Sequence, residues 1–215
     1  MNKKIGKNII FDMDGTLLDS LSVWADSDRE FISGYGYDYD PAHSLAMKKM
    51  HFDSACQYLV DVFSLPFSAA ETGEKILAIV EERYLNGIPL KDGAEKFIKA
   101  AHSAGIKMCV ATSNRKKLAE DALEARRILK YMEFVLTSDE VGCGKESPEI
   151  FLKAAELMGA EPSETTVFED SIHAVLSAKE AGFGVIGVFD PLCEEEFAEI
   201  EKIAHITIRS FEELL

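Results

Sequence analysis

The chain has 215 residues, 47% hydrophobic and 28% charged, and its 23 lysines and arginines against 38 aspartates and glutamates leave a formal charge of −15. That is the composition of a folded globular protein, with length enough for one full domain and a smaller one. The negative balance repels phosphate backbones and anionic lipid, and no apolar run approaches the roughly 20 residues that span a bilayer, so neither nucleic acid nor membrane is expected as a partner.

In chain order, Asn8-Ile9-Ile10-Phe11 is the first of several short, continuously apolar runs, and it leads into Asp12-Met13-Asp14-Gly15-Thr16. It is too short for a signal-peptide core. From Leu17 to Gly87 only helical spacing recurs: around Val23–Phe31, around Ala46–Leu59, and most clearly at Ile76, Leu77, Val80 and Tyr84. Asp92 with Glu95 then reads as a capping box for a helix with Phe97, Ile98 and Ala101 on one face and Gly105 past its end. A strand at Lys107–Ala111 runs into Thr112-Ser113-Asn114, where a helix start is expected, and Leu118, Ala122, Ala125 and Leu129 line that helix. A strand at Phe134–Leu136 is followed by Thr137-Ser138-Asp139. Ser147-Pro148 reads as a capping hydroxyl and first-turn proline before Ile150, Phe151, Ala154, Leu157 and Met158, with Gly159 as the stop. Thr166–Phe168 ends in Glu169-Asp170-Ser171, Ala174, Ala178 and Ala181 mark a helix, Gly184–Phe189 is a strand, and Ile206–Ile208 is a short last one.

Short runs without polar alternation suit strands buried on both faces, the habit of parallel sheets, and their alternation with helices predicts an α/β protein. The expected fold is a Rossmann-like parallel sheet with helices on both faces plus a small all-helical cap domain: residues 1–17 and 88–215 form the α/β catalytic core, and 18–87 the cap. Gly182-Phe183-Gly184-Val185-Ile186-Gly187 spells GxGxxG, but it follows a helix and enters a strand, the reverse of a dinucleotide site, and Gly182 reads as a helix end. Cys56, Cys109, Cys143 and Cys193 form no CxxC pair, so free thiols and a cytoplasmic location are expected.

Ligands of open α/β sheets sit beyond the carboxyl ends of the strands. Those ends carry Asp12 and Asp14, Thr112, Ser113 and Asn114, and Glu169 and Asp170, with Lys145 just before a helix. Carboxylates gathered in one crevice repel one another unless a cation neutralises them, and an all-oxygen donor set without a His or Cys cluster suits Mg²⁺. Lys145, the Thr112 hydroxyl and main-chain N–H groups are what a phosphoryl group requires. Each element has a blander reading on its own: an Asp-x-Asp is most often a turn, Thr112-Ser113-Asn114 an N-cap, Glu169-Asp170 a solvated helix start and Lys145 a surface lysine. Their joint order along the strands is what points to one site.

Asp12-Met13-Asp14-Gly15-Thr16-Leu17-Leu18-Asp19-Ser20 resembles the first motif, DxDGTLxDS, of the haloacid dehalogenase-like superfamily of phosphatases and phosphomutases. Thr112 resembles its second motif, Gly144-Lys145-Glu146-Ser147-Pro148 its third, and Val167-Phe168-Glu169-Asp170-Ser171 its fourth. The likeness covers essentially the whole chain and is nearest to the β-phosphoglucomutase and phosphoglycolate phosphatase group. It implies that Asp12 is the nucleophile, forming a phosphoaspartate, and that Asp14 is the general acid and base. It implies Mg²⁺ on the Asp12 carboxylate, the Asp14 main-chain carbonyl, Glu169 and Asp170, with Thr112, Ser113, Asn114 and Lys145 on the phosphoryl oxygens. The implied partner is a small phosphorylated metabolite, with the protein a monomer and a dimer as the alternative. The histidine that the mutase branch places in its first cap helix is missing between Leu21 and Phe31, where Trp24 stands, and its cap arginine is missing near His51-Phe52-Asp53-Ser54, which favours hydrolysis. Ala174 replaces a common glycine of the fourth motif. A mutase with the same phosphoaspartate and a receiver-like signalling module that is only phosphorylated remain the alternatives.

Overall fold

The computed structural model describes residues 5–47 and 50–215. Strand β1 (Asn8–Phe11) is followed by helices α1 (Val23–Gly34), α2 (Pro41–Met47), α3 (Phe52–Phe63) and α4 (Ala69–Asn86). Then come α5 (Ala94–Ser103), β2 (Lys107–Thr112), α6 (Lys116–Ala125), β3 (Val135–Thr137), α7 (Ser138–Val141) and α8 (Glu149–Met158). The chain ends with β4 (Thr165–Glu169), α9 (Ile172–Glu180), β5 (Gly184–Val188), α10 (Glu194–Ile203) and β6 (Ile206–Ile208). The six strands form one parallel sheet in the order β3-β2-β1-β4-β5-β6, with helices on both faces, as the alternating pattern predicts.

The chain divides into two compact units, one of residues up to Ser20 together with Ile88–Leu215, the other Leu21–Gly87. In the first, β1 lies at the centre of the sheet and is wholly buried. Its Phe11 is in register with Phe168 of β4, and both pack with Phe97 and Phe211, the Phe168 and Phe211 rings stacked at 5.6 Å. Large aromatic faces buried together gain from area and from ring geometry. The cluster therefore clamps the two strands at the point where Asp12 and Glu169 leave them.

The second unit is all helical, with α4 packed against α1 and α3. Its longest helix starts at a capping box in which the Glu71 N–H donates to Ser68 Oγ at 3.2 Å and the Ser68 N–H to Glu71 Oε2 at 2.9 Å. Ile76, Val80 and Tyr84 are buried along one face, the spacing read from the sequence. The single helix expected around Ala46–Leu59 is instead two, α2 and α3: the Met50 N–H turns back on the Met47 carbonyl at 2.8 Å, and His51 is extended before α3. Residues 48 and 49 of that expectation lie outside the described residues. No helix among the described residues is long and apolar enough to cross a membrane, and all four cysteines are free.

Asp28 on α1 is half-buried, and burial alone raises its carboxyl from 3.8 to about 6. The folded unit thus holds a proton that the unfolded chain releases near pH 4, so stability falls as pH rises from about 4 to about 6 and stays lowered above that. The deficit at neutral pH is of order 2–3 kcal/mol. Asp28→Asn is expected to raise the melting temperature at pH 7.5 and to leave it unchanged at pH 4, measured by circular dichroism.

Three helix starts differ from the sequence expectation, each for a local reason. Gly93, at φ +75°, precedes α5 in place of Asp92, whose carboxylate accepts from Ser210 Oγ at 2.7 Å while its carbonyl accepts the Phe211 N–H at 2.9 Å. A Cβ at Gly93 would lie 2.6 Å from the Glu212 nitrogen, so only glycine lets the C-terminal segment approach. Pro148 caps α8 without any side-chain bond from Ser147. Helix α6 starts at Lys116, not at Ser113, and Leu129 sits in a 3₁₀ turn beyond its end. Gly182, at φ +89°, follows α9 as a helix terminator, in line with the discounted dinucleotide motif.

Candidate active site

The carboxyl ends of β1, β2 and β4 meet the loop before α8. The β1–β4 ladder extends one residue beyond β1, with the Asp12 N–H on the Phe168 carbonyl at 2.9 Å, which places Asp12 beside Glu169. Asp12 is 6% exposed; its Oδ1 accepts a hydrogen bond from Lys145 Nζ, and its Oδ2 is buried with no hydrogen-bond partner. Lys145 Nζ also donates to Glu169 Oε1 at 2.8 Å. Glu169 Oε2 accepts the N–H groups of Asp170 and Ser171 at 2.8 and 2.9 Å.

After Asp12 the chain turns sharply. The Leu17 and Leu18 N–H groups both return to the Met13 carbonyl, at 3.0 and 2.8 Å, and Gly15 holds φ +84°. A Cβ there would stand 2.3 Å from Asp170 Oδ2, so glycine is required both by the left-handed turn and by the carboxylate against it. Next to it, Thr16 Oγ1 donates to Asp170 Oδ1 at 2.9 Å. Asp14 is held at both oxygens: Ser20 Oγ donates to Oδ1 at 2.7 Å and Asn114 Nδ2 to Oδ2 at 3.1 Å.

From β2, Thr112 is buried and its Oγ1 accepts the Asn114 N–H at 3.0 Å, so that N–H is engaged within its own loop. The exposed Ser113 hydroxyl lies 3.1 Å from that of Ser138. Asp12, Lys145, Glu169 and Asp170 thus converge, Asn114 joins them through Asp14, and Thr112 and Ser113 sit on the adjoining strand end. Thr16, Ser20 and Ser177 carry roles that no sequence pattern assigned them. The Ser177 hydroxyl, on α9, donates to the Lys145 carbonyl at 2.6 Å and fixes the loop that delivers the lysine. Short hydroxyl side chains beside a carboxylate motif are the available signal for Thr16 and Ser20; for Ser177 there is none.

The electrostatics follow from burial. Removal from water raises the Asp12 carboxyl to about 7, with Glu169 and Asp14 adding to the effect and Lys145 opposing it. Burial raises Asp170 well above the ordinary carboxylate range, helped by Glu169 and Asp12 and opposed by Thr16 and Lys145. Burial also works against the Lys145 charge, but Asp12 and Glu169 outweigh it and hold the ammonium above the usual lysine range. One lysine does not balance the acids around it. Carboxylate oxygens of Asp12, Glu169 and Asp170 lie within 4.8 Å of one another, and Asp12 Oδ2 has nothing to accept. A hard, oxygen-seeking divalent cation fits this donor set.

Residues 9–188, from β1 through β5, match the family described as haloacid dehalogenase-like hydrolase. A Drosophila melanogaster protein named "Probable pseudouridine-5'-phosphatase" is 30% identical over 214 residues, 96% of this chain and 90% of that one. The Arabidopsis thaliana "Bifunctional riboflavin kinase/FMN phosphatase" is 28% identical over 187 residues, 86% of this chain, and the match spans only 49% of that larger protein. Among solved structures, one from Thermotoga maritima, provisionally described as a β-phosphoglucomutase, superposes with a TM-score of 0.84 at 25% identity, covering 94% of this chain and 93% of that one. The chain is a member of the haloacid dehalogenase-like hydrolase family.

Proposed function

We propose that the protein is a Mg²⁺-dependent phosphatase that releases phosphate from a small phosphorylated metabolite through a phosphoaspartate on Asp12. The observation that carries this reading is the buried Asp12 carboxylate, one oxygen on Lys145 and the other unpartnered, at the end of the central strand. Two of the relatives bear names of phosphatases acting on small phosphate monoesters.

In this reading the carboxylate of Asp12 attacks phosphorus in line, and Asp14 gives its proton to the departing ester oxygen. A water then attacks the phosphoaspartate and Asp14 takes up its proton, restoring both residues. The Ser20 hydroxyl suits both halves, since it can donate to Asp14 as carboxylate and turn to accept from it as acid. Lys145 balances charge on the phosphoryl oxygens, with Thr112, Ser113 and Asn114 as further phosphate contacts. Asp12, Glu169, Asp170 and the Asp14 main-chain carbonyl would hold Mg²⁺, which when bound supplies charge stabilisation for the phosphoryl group. The all-helical unit Leu21–Gly87 is taken as the cap domain, three residues shorter at its start than the 18–87 expected from the sequence, and the acidic chain works as a cytoplasmic monomer without nucleic acid or membrane.

The test is phosphate release from 4-nitrophenyl phosphate and a panel of phosphorylated metabolites, with MgCl₂ or with EDTA. Turnover that requires the metal is expected; equal rates in both conditions overturn the proposal. The Thermotoga likeness favours a mutase as the second reading, and isomerisation of β-glucose 1-phosphate outpacing phosphate release would replace hydrolysis by it.

A further inference from the structure

The orientation of Asp14 depends on Ser20, and the place of Ser20 depends on two short segments that run side by side. Leu18 and Leu90 form an antiparallel bridge, flanked by the Asp19 N–H on the Pro89 carbonyl at 3.0 Å and the Lys91 N–H on the Leu17 carbonyl at 2.9 Å. So short a two-stranded pairing is marginal on its own. The side chain of Lys91 reinforces it. Its Nζ lies 2.5 Å from Asp190 Oδ2, 3.5 Å from Asp19 Oδ1 and 3.4 Å from the Phe189 carbonyl. Asp190 follows β5, is 2% exposed, and accepts the Leu192 N–H on its other oxygen at 2.8 Å. One ammonium thus fastens the residues after the Asp-x-Asp turn, the returning strand and the end of β5. Burial makes the Lys91–Asp190 attraction strong and its disruption expensive.

We propose that Lys91, anchored by Asp190, is a positioning residue for Asp14: it sets the register of residues 17–20 against 88–91 and thereby aims Ser20 Oγ at Asp14 Oδ1. The proposal rests on the reading of Asp14 as general acid and base. It predicts a loss confined to proton transfer. For kcat/KM, which runs to departure of the leaving group, an ester with a basic leaving group needs the proton from Asp14, whereas 4-nitrophenolate leaves without it.

The experiment compares kcat/KM for phenyl phosphate and 4-nitrophenyl phosphate. Lys91→Met combined with Asp190→Asn avoids stranding a buried acid. It is expected to lower the phenyl phosphate value about 10-fold or more and the 4-nitrophenyl phosphate value less than about 3-fold. Ser20→Ala should give the same split, and adding it to the double variant should cause little further loss, because the residues act on one atom. Lys91→Arg should keep both values near wild type. Should the double variant fail to fold, Asp190→Asn alone, which retains an oxygen for Lys91 Nζ, should show the split in weaker form. Unchanged values, or an equal fall on both esters, overturn the proposal. A wild type inert towards both esters refutes the phosphatase reading instead, and this proposal with it.

Discussion

Asp12→Asn is expected to reduce phosphate release by at least about three orders of magnitude while the metal-free protein melts no lower than wild type. The amide has no anionic oxygen to attack phosphorus, so the proposed covalent route closes. Its carbonyl can still accept from Lys145, so the contact that orients the side chain survives. The substitution also removes one negative charge from a cluster in which Asp12, Glu169 and Asp170 are at most 7% exposed, relieving repulsion that function demands and folding does not. Initial rates at saturating Mg²⁺ and thermal melts in EDTA measure the two effects on one sample. A variant within about tenfold of wild-type turnover removes Asp12 from the nucleophile's role.

Lys145→Ala carries the second large effect, and its signature is the opposite. Lys145 is the counter-ion that Asp12 and Glu169 share in the metal-free site. Removing one partner of a buried pair typically costs about 3–5 kcal/mol, here softened because burial raises both Asp12 and Asp170, so that an acid can take up a proton once the ammonium is gone. The variant should therefore melt several degrees lower in EDTA and recover more on adding MgCl₂ than wild type does, since a cation then replaces the lost ammonium. Turnover should fall by about 100-fold or more through loss of charge stabilisation at the phosphoryl group. Identical melts in EDTA and unchanged kinetics would show that Lys145 does neither.

Much of the site could be read in advance because its parts lie within short spans. Asp12 and Asp14, Thr112 to Asn114, and Glu169 with Asp170 each stand next to an apolar strand, and in a parallel sheet the strand ends they follow share one edge. The supporting contacts were not legible in this way. The Lys91–Asp190 pair joins residues 99 apart in sequence, Ser177 reaches Lys145 across 32, and the Asp92–Ser210 bond spans 118. Asp92 illustrates the limit: its spacing to Glu95 is that of a capping box, yet the C-terminal segment recruits its carboxylate and Gly93 takes the cap.

The amino-acid order alone determined the largely buried strands, the all-helical stretch after the first of them, and which residue types stand at each strand end. These follow from periodicity and from chemistry acting over a few residues. The tertiary structure decided which groups each side chain serves: that Asn114 grips Asp14, that the Ser20 hydroxyl faces the same carboxylate, and that Lys145 lies between two acids. Those choices turn on distances across the sheet and on exclusion of water, and burial, which gives these charges and hydroxyls their strength, exists only once the chain has packed.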